Sequence, residues 1–74
     1  MTIRTHTFEV QGMHCGSCAL LIDDTLENLP GVRRAETAMR KGRSVVDLDT
    51  AATSPDEVAA AITGLGYQAR LLPQ

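Results

Sequence analysis

Apolar residues in this chain recur at two different spacings, and the order in which those spacings alternate leaves few folds open. Over residues 3–10, Phe8 and Val10 alternate with Thr7 and Glu9 in a run rich in β-branched side chains, as in a half-buried strand. Gly12 breaks the run. From residue 17 to residue 29 the apolar positions Cys18, Ile22, Leu26 and Leu29 recur at helical spacing, with Asp23, Asp24 and Glu27 turned elsewhere. Pro30 and Gly31 stop that helix. Alternation returns over residues 32–39, with Arg33, Ala35, Thr37 and Met39 on one face and Val32, Arg34, Glu36 and Ala38 on the other. The face carrying Ala35, Thr37 and Met39 is expected to line the core. Beyond the polar turn Arg40-Lys41-Gly42-Arg43, the residues Ser44, Val46 and Leu48 alternate with Val45, Asp47 and Asp49 to complete a hairpin, with an apolar residue of the Val45-Val46 pair on the outer face.

Ser54-Pro55-Asp56-Glu57 is a strong helix start: a serine N-cap, a proline at the first helical position, and a glutamate placed to close a capping box. Val58, Ala61, Ile62 and Leu65 form one stripe of that helix, and Gly64 and Gly66 bracket its end. Residues 67–72 read as a last strand with Tyr67, Ala69 and Leu71 on one face. The order is therefore βαββαβ. Among small α+β folds this is the split βαβ, ferredoxin-like sandwich: a four-stranded antiparallel sheet with two helices on one face. The fold hosts many functions, so a site must decide.

Seventy-four residues make one domain, expected to span residues 1–74. With one phenylalanine, one tyrosine and no tryptophan, its core has to come from aliphatic side chains. A net charge of −2 gives no reason to expect nucleic acid, which calls for a strongly basic surface. The charges are sorted nonetheless. Five of the seven basic residues, Arg33, Arg34, Arg40, Lys41 and Arg43, fall in one short stretch, and Asp23, Asp24, Glu27, Asp56 and Glu57 sit on the helical segments. Such sorting either solvates the surface or orients a protein partner by complementary charge. No stretch approaches the roughly 20 apolar residues of a membrane span, and the N-terminus lacks the apolar core of a secretory signal. A cytoplasmic location is the expectation, and there cysteines are reduced or metal-bound more often than disulfide-linked.

Both cysteines lie in Gly12-Met13-His14-Cys15-Gly16-Ser17-Cys18, between the first strand and the first helix. Unpaired amides and the positive end of the helix dipole gather there, and both favour thiolate, the metal-binding form. Residues three apart on a helix have Cβ atoms about 5–6 Å apart. Two metal–thiolate bonds of roughly 2.3 Å laid end to end span a comparable distance. One ion can therefore bridge the pair. Soft thiolates select soft ions, prominently Cu(I), with Ag(I) and Hg(II) preferred on the same argument. A closed Zn(II) site needs four ligands, and two cysteines and two histidines without a second metal-spaced pair under-supply it. The spacing alone also admits dithiol–disulfide chemistry or a structural staple. A thioredoxin-type oxidoreductase resides on a larger chain, and a loop this small stabilises little when closed.

The segment from Gly12 to Cys18 resembles the GMxCxxC signature of heavy-metal-associated domains. Leu29-Pro30-Gly31-Val32 is similar to their LPGV segment and Leu65-Gly66-Tyr67 to their closing LGY, so the resemblance runs from about Phe8 to Leu71. It implies a non-enzymatic copper chaperone of bacterial type. Cys15 and Cys18 would hold Cu(I) and pass it by ligand exchange to the metal-binding domain of a copper-transporting P-type ATPase. Mercury carriers of this type are usually exported, so the missing signal weighs against Hg(II), and the absence of an acidic residue at His14 weighs against zinc or cadmium.

The same resemblance implies supporting roles around the pair. Gly12 shapes the loop, Met13 tucks into the core to anchor it, and Tyr67 lies across from the cysteines, shielding them or hydrogen-bonding near a sulfur without ligating the ion. His14 faces solvent on this reading, with a third-ligand or metal-bridged-dimer role as the alternative to a plain monomer. At most one of Leu20 and Leu21 can face the core, and the other is a candidate docking patch. His6, in the first strand, is expected to be structural or exposed.

Overall fold

In the computed structural model, residues 3–13 and 16–73 are described, so Met1, Thr2, His14, Cys15 and Gln74 lie outside the described residues. The chain forms β1 (Ile3–Gln11), α1 (Gly16–Glu27), β2 (Val32–Ala38), β3 (Arg43–Asp49), α2 (Pro55–Gly64) and β4 (Gln68–Leu71), the order the two spacings imply. The strands make one sheet in the order β2-β3-β1-β4, and every neighbouring pair is antiparallel. This is the ferredoxin-like α+β sandwich.

Strand alternation sends Phe8 and Val10 of β1 and Ser44, Val46 and Leu48 of β3 to one face of the sheet, where all five are buried. Ile22 and Leu26 of α1 and Val58 and Ile62 of α2 close over that face, with Ala35 of β2, to complete the core. Ser44 is a polar residue within it, and it accepts the Thr37 hydroxyl at 3.0 Å, so its burial leaves the oxygen satisfied. Large-to-small changes in such a core cost about 2–5 kcal/mol, against a total stability of about 5–15 kcal/mol. Few of the nine apolar core residues are therefore dispensable in a domain this small.

α2 starts where its capping residues place it. Ser54 is the N-cap, its side-chain oxygen accepting the Glu57 amide at 3.4 Å, and Pro55 opens the helix. The Glu57 carboxylate is engaged by the Thr53 hydroxyl, which ties the cap to the preceding turn.

Four expectations need correction. α1 ends at Glu27, so Leu29 is not helical, although it still packs against the core. Leu29 precedes Pro30, and the proline ring disfavours helical dihedrals at the residue before it. In β2, Val32 packs inward although strict alternation puts it outside. The register shifts between Val32 and Arg34, Val32 opposing Leu48 and Arg34 opposing Asp47. The extra residue of this bulge resets the alternation, so Val32 and Ala35 both face in and Arg33 and Arg34 are both exposed. Met39 lies past the end of β2 in the turn, where it is exposed and does not line the core. The last strand is shorter than residues 67–72: β4 runs over Gln68–Leu71 with Tyr67 just before it, Tyr67 and Ala69 packing against the core and Leu71 43% exposed at the end of an edge strand.

No helix among the described residues is long and apolar enough to cross a membrane.

Candidate metal centre

The loop between β1 and α1 emerges at the end of the central strand β1, and two other connections converge on it. The turn between β2 and β3 is fastened there by the Val10 amide, which donates to the Gly42 carbonyl at 2.7 Å. The segment leaving α2 arrives there as well. A Cβ placed on Gly12 would lie 3.5 Å from Cδ1 of Tyr67 and 3.9 Å from its Cα. Gly12 takes a φ of 102°, a left-handed conformation that side chains beyond glycine rarely adopt. The chain thus turns sharply off β1 directly beside Tyr67.

Met13, the next residue, is half-buried and packs against the core cluster, as does Tyr67. α1 begins at Gly16, with Gly16 and Ser17 exposed and Cys18 half-buried in the first turn. Amides in a first turn have no partner within the helix, and that is the environment in which a thiolate is favoured over a thiol. The fold therefore brings Gly12, Met13, Tyr67 and Cys18 to one end of the molecule. Cys15 and His14 lie outside the described residues. Among the described residues, no group of three or more His, Cys, Asp and Glu side chains comes together in a way that could hold a metal ion.

Leu20 and Leu21 follow Cys18 in α1 and are 71% and 47% exposed, so neither enters the core. His6 is half-buried in β1, opposite Val46 of β3. The proximity of the β2–β3 turn to this end was not evident from the sequence pattern. The signal available was the run Arg40-Lys41-Gly42-Arg43, which marks a turn without saying what it abuts.

Known proteins resemble this chain in sequence and fold. Mercuric reductase of Shigella flexneri is 43% identical over 65 residues, covering 88% of this chain and 11% of that protein. The chain thus spans about a tenth of the reductase's length. The copper chaperone CopZ of Enterococcus hirae is 34% identical over 65 residues, covering 88% of this chain and 94% of that protein. The crystal structure of a copper-binding domain from a P-type ATPase superposes with a TM-score of 0.92 at 27% identity, covering 95% of each chain. The family model for the heavy-metal-associated domain matches residues 7–68, from β1 to the start of β4 and through the whole Gly12–Tyr67 junction, and the chain belongs to that family.

Proposed function

We propose that this protein is a cytoplasmic Cu(I) chaperone that holds one ion between Cys15 and Cys18 and hands it to the metal-binding domain of a copper-transporting P-type ATPase. The observation that carries the reading is Cys18, half-buried in the first turn of α1 beside a loop that Gly12, Met13 and Tyr67 brace against the core. Soft thiolate donors suit a soft monovalent ion. Similarity to a copper chaperone along most of its length, and to a copper-binding domain of a P-type ATPase, supports both the cargo and the recipient.

Two thiolate ligands leave the ion open to a third. An incoming partner thiolate bonds to it before one of the protein's own sulfurs departs, and the departing thiolate takes up a proton from water. No electron moves, and the ion is never released. The handover is ligand exchange, not enzymatic turnover. The protein acts as a monomer on this reading, with His14 not needed as a ligand and no metal-bridged dimer required.

A second reading is Hg(II) as cargo, and the 43% identity to mercuric reductase favours it specifically. Titration of the reduced protein with Cu(I), Hg(II) and Zn(II), each against a competing chelator, separates the two. The expected order gives Cu(I) saturation at one ion per chain, with Zn(II) weak. Cys15→Ser and Cys18→Ser each abolish tight uptake, and His14→Ala changes it little. Full Cu(I) uptake by the double-serine variant would sink the assignment, and Hg(II) retention without Cu(I) retention would transfer it to mercury.

A further inference from the structure

Of the six glycines, Gly12, Gly31, Gly42 and Gly66 stand where φ is positive, which accounts for them. The other two lie in helices, Gly16 as the first residue of α1 and Gly64 as the last of α2. Both are exposed and neither has a positive φ. Among the described residues, a Cβ built on either would meet nothing within 4 Å. Neither backbone conformation nor crowding therefore calls for glycine at these positions, and glycine is a poor helix former. Gly64 sits where α2 has to stop, so weak helix formation is no loss there. Gly16 sits where α1 has to start.

Little else secures that start. α2 opens with the Ser54 cap, Pro55 and the acidic Asp56 and Glu57, whereas the first turn of α1 holds no acidic residue. Alanine at position 16 would fit and would strengthen the helix. What the missing side chain leaves is room outside the protein. Gly16 follows Cys15 in the chain and precedes Cys18 by two residues. Residues two apart on a helix do not face each other, so a side chain at 16 would stand in solvent, away from the Cys18 sulfur. Leu20, four residues on and on the same side of α1, is 71% exposed. Bare backbone thus adjoins an exposed leucine at the end of the molecule where the candidate metal loop emerges.

We infer that Gly16 is a clearance position, whose missing side chain lets the cysteine-bearing loop of an acceptor protein come close enough for its thiolate to reach the ion. The inference deepens the proposed function and rests on it for the identity of the cargo. In the step it serves, an acceptor sulfur bonds to Cu(I) and the bond from Cys15 or Cys18 breaks. The departing thiolate takes up a proton, and the ion stays monovalent. Gly16 joins neither bond. It is a positioning residue, and it matters to a folded acceptor but not to a small thiol.

Gly16→Ala and Gly16→Leu, with Gly64→Leu as the control, provide the test. Gly16→Ala is expected to raise the urea midpoint, and Cu(I) affinity against a competing chelator should be unchanged in all three. Transfer to a folded acceptor domain carrying a Cys-x-x-Cys pair is expected to slow about tenfold in Gly16→Leu. Gly16→Ala should fall between that variant and the unaltered protein. Transfer to dithiothreitol should keep its rate throughout, and Gly64→Leu should transfer normally to both acceptors. A Gly16→Leu protein as fast as the unaltered one toward the folded acceptor overturns the inference. So does a loss of Cu(I) affinity or an equal slowing toward dithiothreitol, which would make position 16 part of ion binding. A metal-free arm compares alkylation of the reduced cysteines by iodoacetamide and by a maleimide attached to a folded carrier protein. Gly16→Leu is expected to slow only the second reagent, and equal rates for the variant and the unaltered protein would refute the clearance role. If the protein takes up no Cu(I), the proposed function fails while this arm still decides the clearance.

Discussion

Gly12 and Tyr67 meet across the end of the sheet: a methyl group on Gly12 would reach to 3.5 Å from the tyrosine ring, an ordinary van der Waals contact. Space therefore does not exclude a larger residue there. The backbone does, because φ at Gly12 is 102°. A residue held in such a region costs about 1–3 kcal/mol. Gly12→Ala is expected to lower stability to urea by that amount, or to relax the strain by moving the loop away from Tyr67. In the second case NMR shifts at Tyr67 and Met13 would move while stability held. A variant with unchanged stability and unchanged shifts would show that the left-handed turn is not required.

Gly31 presents the opposite balance. Its φ is 88°, and an added Cβ would lie 2.8 Å from Thr53 Cγ2 and 2.9 Å from Ala52 Cβ. Here backbone strain and overpacking act together, each costing about 1–3 kcal/mol. Gly31→Ala should therefore be the more damaging of the two glycine substitutions. Thr53→Ser removes the nearer of the clashing carbons, and adding it to Gly31→Ala should recover part of the loss in a urea midpoint. Equal midpoints for the single and double variants would place the whole cost in the backbone.

Most of this architecture was legible because burial in a two-layer sandwich imposes period two on strands and period 3.6 on helices. Phe8, Val10, Val46, Leu48, Ile22, Leu26, Val58 and Ile62 all obey those rules, and all are buried. The failures fall where the backbone departs from them. The bulge at Arg33 leaves no mark in composition, since one added residue shifts the phase without changing which residue types are present. Leu29 has the right spacing and the right neighbours in the core, yet the following proline withdraws it from the helix. At the site, the Gly-Met loop and the cysteine spacing could be read directly. The place of Tyr67 came from the family resemblance and not from the pattern, and the junction with Gly42 could not be read at all, because it depends on which ends of the sheet connections come together.

The N-cap of α2 offers a local measure of how much of the helix is secured by its first residues. Ser54 accepts the Glu57 amide through its side chain, and replacing such a cap with alanine costs about 1 kcal/mol. Ser54→Ala should lower stability by that amount, while Ser54→Asp should restore it by supplying another acceptor at the helix start. If Ser54→Ala were neutral, the Thr53–Glu57 hydrogen bond would be the dominant restraint, and Thr53→Val would then show the missing loss.

Leu20 and Leu21 are the exposed apolar side chains of α1, and the proposed transfer to a partner offers a test of what they do. Both are exposed and neither belongs to the core, so Leu20→Gln/Leu21→Gln should leave the urea midpoint nearly unchanged. If these side chains are covered when the partner docks, losing them removes burial worth about 25 cal/mol per Å² of apolar surface. That loss is expected to slow Cu(I) transfer to a cysteine-bearing acceptor domain severalfold. It should do so almost equally at low and high salt, because burial of apolar surface is not screened. A leucine variant whose transfer rate matched the unaltered protein at every salt concentration would remove Leu20 and Leu21 from the surface that meets the acceptor.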